Sequence, residues 1–245
     1  MKKQQIHILT SKIHKWAGLT IGIQVLLWLT GGFVMSWFDI EAVRGEHLIN
    51  HPDDVIVSNE TYNFKAVDKF VTDSKRPIKF VFADGLNGEP VFKIKYMDGG
   101  DEILHPLTAT SLSPVAKAHV VRVATAIYAG TGKITSATLK DETDIEYRGP
   151  LPVWRVDFSD DESTSLYFNP DTGKMMAVRS DLWRFYDFMW MLHIMDYETR
   201  NDFNHPLLYL FALAAMLFSI SGFVLVYFRF TKRDFKWVRG KSDNL

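Results

Sequence analysis

The chain has no cysteine. Disulfides, iron–sulfur clusters and thiolate metal sites are thereby excluded, so any metal or cofactor must be held by His, Met, Tyr or carboxylates. A G-x-G-x-x-G fingerprint and a G-x-S-x-G nucleophile elbow are also missing. Gly130-Thr131-Gly132-Lys133 lacks both the leading glycine spacing and the trailing hydroxyl residue of a P-loop. Alone, this chain cannot take electrons from a nicotinamide.

A further absence is local. Residues 16–38 and 206–228, 23 residues each, contain no Asp, Glu, Lys, Arg or His. At helical rise each crosses a hydrocarbon core of about 30 Å, which gives a membrane protein with two anchors. A signal peptide also places lysines before an apolar run. This run is longer than an h-region and leads into Ser36-Trp37-Phe38-Asp39 rather than a small-residue cleavage site, so an uncleaved anchor is expected.

Charge then orients the chain. Residues 1–15 carry Lys2, Lys3, Lys12 and Lys15 without an acid, and residues 229–245 carry six basic residues against Asp234 and Asp243. Residues 39–205 hold 18 basic and 27 acidic residues, a balance of −9 that the overall charge of −1 conceals. By the positive-inside rule both termini are expected in the cytoplasm, with the central segment periplasmic. That distribution excludes nucleic acid as a partner.

The expected fold class is membrane α-helical, with two transmembrane helices, plus a periplasmic α+β domain. Its divisions are a cytoplasmic N-terminus (1–15), a first span (16–38), the periplasmic domain (39–180), an aromatic interfacial helix and connector (181–205), a second span (206–228) and a basic cytoplasmic tail (229–245). Within the domain a helix near residues 64–70 precedes alternating runs at 78–82, 90–96 and 102–105, separated by turn signals at Asp84-Gly85, Asn87-Gly88 and Gly99-Gly100. Residues 114–128 read as an amphipathic helix with Val115, Ala118, His119, Arg122 and Ala126 at three-to-four spacing. Strands follow at 134–139, 153–158 and 165–168, and the last hairpin closes at Asn169-Pro170-Asp171-Thr172-Gly173. A helix followed by strands, twice over, predicts an α+β domain of two small units.

On these residues the chain resembles the PepSY-associated transmembrane family of bacterial inner-membrane proteins. The resemblance rests on His14-Lys15-Trp16-Ala17-Gly18-Leu19, Leu29-Thr30-Gly31-Gly32, residues 166–174 (LYFNPDTGK), Leu192-His193 and Ser221-Gly222. It implies a PepSY-like domain between the spans. Several larger members, with four or more membrane helices, are haem-b proteins that reduce ferric iron or ferric siderophores. The shorter, two-span members are associated with reduction of periplasmic ferric iron ahead of ferrous uptake. For a two-span chain a haem-holding bundle would need a second copy.

A haem iron between membrane helices needs His on bundle-facing positions, with small residues nearby. His14 shares a helical face with Gly18 and Gly22, and Ala212, Ala215, Ser219 and Gly222 form a small-residue stripe on the second span, topped by His205 before Pro206. The same stripes also suit close helix packing without a cofactor. His193 lies in the aromatic segment 181–197, expected as an interfacial helix with Arg184, Asp187 and Asp196 toward water and with Met189, Trp190, Asp196 and Tyr197 neighbouring the imidazole. Its bland reading is an interfacial anchor. His14 and His193 would lie at opposite faces of the bilayer and cannot ligate one iron. His14 would pair with His14 of a second chain in a dimeric four-helix bundle, and His193 with His205, His47 or His51.

The candidate cofactor-binding residues are therefore His14, His193 and His205, the cofactor haem b, and iron the substrate. Acid groups at Asp141, Glu142, Asp144 and Glu146, and at Asp160, Asp161 and Glu162, are alternative oxygen ligands for ferric iron, or else solvated hairpin ends. Met175, Met176, Met189, Met191 and Met195 read as packing among aromatics. Two functions fit: an electron-transfer protein that reduces periplasmic ferric iron, and a non-enzymatic anchored PepSY accessory that binds a protein partner. The first implies the lipid bilayer, a homodimer, a respiratory donor (quinol or flavoprotein) and a downstream ferrous iron transporter as partners.

Overall fold

The computed structural model describes residues 3–51 and 54–230. Lys2 and the basic tail beyond Phe230 lie outside the described residues. The chain divides into two compact units, Phe38–Phe185 and the segments on either side of it.

The first unit is helical. α1 (Lys3–Trp37) runs for 35 residues, starting well before the apolar stretch because nothing from Lys3 to Ala17 is Gly or Pro. α6 (Pro206–Arg229) starts with Pro at its first position, where the missing N–H costs nothing. Both helices are long and apolar enough to cross a membrane. They pack antiparallel: His7 meets Phe228, and His14 meets Phe218 and Ser221. Leu19, Ile23, Leu26 and Phe33 of α1 and Leu210, Leu217 and Phe223 of α6 are left on the outer faces, as lipid requires. α5 (Asp181–Ile194) contributes its residues from Tyr186 onward to this unit.

The second unit is α+β. After two short helices, α2 (Ile40–Arg44) and a 3₁₀ turn (Glu46–Leu48), comes α3 (Phe64–Asp73), whose Asn63 side chain accepts from the Ala66 amide as N-cap. β1 (Ile78–Leu86), β2 (Glu89–Tyr96) and β3 (Asp101–Leu104) form an antiparallel sheet in that order. Tyr62, Val67, Phe92, Ile94, Tyr96 and Leu104 make its core. α4 (Lys117–Ile127) then precedes a second antiparallel sheet, β4 (Ile134–Lys140), β5 (Val153–Phe158), β6 (Ser165–Phe168) and β7 (Met175–Arg179). Val120, Val123, Ala124 and Ile127 of α4 pack with Val156, Leu166 and Phe168 of this sheet in the larger core.

The helix-then-strands repeat predicted from the sequence is thus present, with three differences. Asp84-Gly85 lies inside β1 rather than in a turn, and the chain reverses one step later at Asn87-Gly88, where both residues have positive φ. α4 buries the face carrying Val120, Val123 and Ile127, not the one through Ala118 and Arg122, because the branched apolar residues outweigh alanine spacing. β7, α2 and the 3₁₀ turn carry too little periodicity to be seen in sequence. The Asn169 to Gly173 turn is a clamp within this unit. Asn169 Oδ1 accepts from the amides of Asp171 and Thr172 at 2.9 Å, Gly173 takes a φ of +69°, and the Pro170 carbonyl receives the Val115 amide at 2.7 Å. Asn87 Nδ2, from the first sheet, donates to the Gly173 carbonyl.

Candidate functional site

His14 projects from α1 against α6. The Ser221 hydroxyl gives its one proton to the Phe218 carbonyl at 2.7 Å, as a serine in a helix can. It therefore accepts from His14, 2.7 Å away, which places the imidazole proton on Nδ1 and the lone pair on Nε2. The ring lies flat on Phe218, centroids 4.2 Å apart and planes 6° from parallel. Small residues make room: a Cβ on Gly222 would stand 3.4 Å from the imidazole, and one on Gly18 3.2 Å from the Phe218 ring. Nε2 of His14 has no hydrogen-bond partner among the described residues.

His193 shows the same tautomer in a closed setting. Its Nδ1–H donates to the Trp28 carbonyl at 2.9 Å, and its Nε2 accepts the Trp28 indole N–H at 3.2 Å. One residue thus satisfies both ring nitrogens. Gly31 and Gly32 form the seat beneath it: a Cβ on Gly31 would stand 3.0 Å from the Met189 carbonyl and 3.2 Å from His193 Cβ, and one on Gly32 3.3 Å from the ring. The neighbours expected from helical spacing, Asp196 and Tyr197, are not the ones found. α5 ends at Ile194 and Met195 takes a left-handed φ of 58°, so the chain turns away before reaching them.

The carboxylates expected to face water are also placed differently. Asp187 is 5% exposed and bonded to Arg200 at 2.6 Å. Asp196 is buried in the connector, where burial opposes its ionisation. The Thr199 hydroxyl and the amides of Asp202, Thr199 and Asn201 outweigh that penalty and hold its carboxyl well below the usual range. Arg184 reaches Glu146 at 2.8 Å rather than solvent.

His205 caps α6 from an extended conformation, and its Nε2 bonds the Ile194 carbonyl at 3.1 Å. A carbonyl only accepts, so Nε2 carries the proton and is not a ligand atom as placed. His47 and His51 pair with Glu162 and Glu46, each at 3.0 Å. Trp28, level with His193, and His14 are 14 residues apart on one helix, about 21 Å along its axis. The two sites remain separate, though closer than a full bilayer.

Sequence reading does not pick out three residues of this setting as neighbours of the histidines. Ser221, rather than Ser219, faces His14, while Ser219 bonds back to the Ala215 carbonyl. Trp28 carries a signal, because an indole N–H inside an apolar span must find an acceptor. Gln24, one helical turn before Trp28, holds a buried Nε2 with no partner, and a polar side chain in mid-span is a functional signal in its own right.

Three acid groups of the α+β unit are engaged by donors. Glu146 accepts from Arg184 and Tyr167, Asp157 from Arg155 at 2.7 Å and Ser136 at 2.6 Å, and Asp160 from Tyr128 at 2.5 Å and the Thr164 amide at 2.7 Å. Burial opposes ionisation of all three, and these donors reverse it, holding each carboxyl below its ordinary value. Tyr128 is pushed up to about 12, by burial first and then by Asp160. Among the described residues no group of three or more His, Asp or Glu is arranged to hold a metal ion.

No curated protein and no solved structure matches the chain. A family model for the PepSY-associated TM region matches residues 11–244. That match takes in His14, the seat of His193, the whole α+β unit and α6, and the chain accordingly belongs to the PepSY-associated TM family of membrane proteins.

Proposed function

We propose that this protein is an inner-membrane electron-transfer protein that reduces periplasmic ferric iron, or ferric chelates, to ferrous iron for uptake, through haem b held by its membrane histidines. Both termini are cytoplasmic in this reading and the α+β unit is periplasmic. The observation that supports it is the setting of His14. A ligating imidazole offers Nε2 to the metal and donates Nδ1–H to an orienting acceptor, and His14 has that arrangement with Ser221, its Nε2 free.

The donor set fits a b-type haem, which when bound supplies one-electron exchange between ferric and ferrous states. His14 would hold it, Ser221 would fix the tautomer, and Gly18 and Gly222 let the Phe218 ring and the imidazole seat between the helices. The orphaned Gln24 Nε2 gives the span a donor that awaits an acceptor. His193 is oriented in the same sense by the Trp28 carbonyl, but its Nε2 is already engaged, which makes it the second candidate, and His205 the third. One histidine at each level calls for another from a second copy, hence a homodimeric four-helix bundle. Electrons would come from quinol or a respiratory flavoprotein, and ferrous iron would pass to a transporter.

The closed setting of His193 favours the second reading at that position, an anchored accessory whose histidine only packs. A reduced-minus-oxidised absorption spectrum of the purified full-length protein, with a pyridine-haem assay, separates the two. A sharp b-type band that His14→Ala abolishes while expression stays normal is expected. A flat spectrum from folded protein made with ample haem would overturn the reductase reading.

A further inference from the structure

The first sheet of the α+β unit has one covered edge and one that, among the described residues, is bare over residues 79–82; further along β1, Val55 packs against Gly85. Residues 110–113 close the outer side of β3: Leu104 bridges Ser111, the Leu112 amide donates to the Ile103 carbonyl at 2.8 Å, and the Ile103 amide donates to Ser113 Oγ at 2.9 Å. β1 pairs with β2 alone. Among the described residues nothing bonds the outer backbone of residues 79–82. Three consecutive apolar side chains stand there, Phe80 and Phe82 each 48% exposed and Val81 38%. The two phenylalanines share a face, rings 5.7 Å apart, across from Lys95 and Lys93 of β2, while Val81 lies across from Ile94.

Folded proteins usually blunt such an edge with charge, proline or a bulge, because it is a template for another strand. In β1 those devices, Pro77, Lys79 and the irregularity between Ile78 and Phe80, protect only its start. We infer that residues 79–83 of β1 pair with the same residues of a second copy of this chain, antiparallel about a two-fold axis at Val81, joining two three-stranded sheets into one of six strands.

Two arguments select a second copy as the occupant. The strand is complementary to itself. Centred on Val81, the pairing sets Phe80 against the partner's Phe82 and Lys79 against the partner's Ala83. The two lysines then stand about 13 Å apart along the strands, beyond the ~8 Å Debye length, so no like charges meet. Centring on Phe82 would instead set Phe80 against the Asp84 that Lys93 holds. The second argument is size. A five-residue strand pair falls well short of the ~1,200 Å² at which specific interfaces between freely diffusing proteins begin. Two copies anchored in one bilayer meet at a raised effective concentration, which offsets the small area, whereas a freely diffusing partner has no such gain. The pairing needs the membrane anchors but no haem.

The absence of cysteine makes the test clean. Antiparallel neighbours place Cα atoms about 4.5 or 5.5 Å apart, both within disulfide range. In membranes carrying the full-length Val81→Cys chain, mild oxidation should give a reductant-sensitive dimer at least tenfold more abundant than that from Leu139→Cys, which at 48% is more exposed than Val81 at 38% but lies on β4. Lys79→Cys and Ala83→Cys should each cross-link poorly alone and well when co-expressed. A Val81→Cys dimer no more abundant than the Leu139→Cys background overturns the pairing. So does a Val81→Cys adduct with a protein of another mass, which would make the added strand foreign. Haem is measured separately in the same membranes, so a failed reductase reading and a failed strand pairing give different results.

Discussion

The two units satisfy their polar groups in opposite ways. In the helical unit the polar side chains at the α1 packing faces are few and neutral, and the two histidines are each matched by one residue, His14 by Ser221 and His193 by Trp28, while Gln24 Nε2 stays unpaired. In the α+β unit they are charged and shared, so that Glu146 alone serves Arg184, Arg155 and Tyr167. Water accounts for the difference. A partly hydrated domain can hold carboxylates at tolerable cost, whereas hydrocarbon penalises each unpaired polar atom by several kcal/mol and any charge by more. Packing must therefore do in the spans what ion pairs do outside them, and glycine becomes the residue that decides whether a histidine is seated.

The strongest way to break that contrast is to spoil the seat. Gly31→Val would drive branched methyls into the Met189 carbonyl and His193 Cβ, both backbone-anchored and unable to yield. A loss of about 3 kcal/mol is expected, at the upper end for overpacking, read as a fall of roughly 6–12 °C in the unfolding midpoint of the purified protein. Gly22→Ala is the control: nothing lies within 4 Å of its added methyl, so the midpoint should hold or rise slightly. Equal losses at both glycines would show that any side chain added to α1 destabilises it, and would remove the special role of the seat.

A smaller effect is expected at His14. Ser221→Ala keeps the small residue that α6 packs with and removes only the acceptor that fixes the imidazole proton on Nδ1. Loss of such an orienting partner typically costs 10–100-fold in metal-site affinity. Under the proposed haem function, about tenfold weaker haem retention is expected on titration, with Ser221→Thr restoring it. Unchanged haem affinity in Ser221→Ala would reduce the serine to packing.

Much of this architecture is legible in the chain. The spans are, because an uncharged run of 23 residues matches the thickness of a hydrocarbon core at helical rise. The limits of β5 and β6 are too, because turn residues bound both strands on either side. The helical character of α5 can be read from its residues, but its surroundings cannot. Asp187 and Asp196 look solvent-facing by residue type, yet their partners, Arg200 and a run of amides, are made by the connector's fold. The candidate site is half legible for a similar reason. Sequence spacing places His14 beside Gly18 and His193 late in α5, but which nitrogen carries a proton depends on Ser221 and Trp28, residues distant in sequence by 207 and 165 positions. Gly18 and Gly22 look equivalent on one face, and only the second helix distinguishes them: Gly18 meets Phe218 and Gly22 meets nothing.

Acid sharpens the comparison from the α+β side, with the smallest effect near neutrality. Burial, ahead of the nearby Arg122 guanidinium, pushes His119 below its ordinary value. Its contribution is therefore fully present above about pH 6.5 and is lost as pH falls below that, when the unfolded chain binds the proton more readily. Glu146, Asp157 and Asp160 are likewise depressed, so what they contribute is present above about pH 4.5 and lost as pH falls through their lower folded values. Stability of this unit should thus be level from pH 8 to 7, decline slightly to pH 5.5, and fall steeply only below pH 4. Unfolding followed by Trp154 and Trp183 fluorescence, in a chain whose other tryptophans are replaced by phenylalanine, would trace the curve. Glu146→Gln should lower the plateau and make the acid limb shallower, because the amide keeps some of the hydrogen bonding to Arg184 and Tyr167 and has no proton to gain. A limb as steep in Glu146→Gln as in the parent would move the acid sensitivity to Asp157 and Asp160.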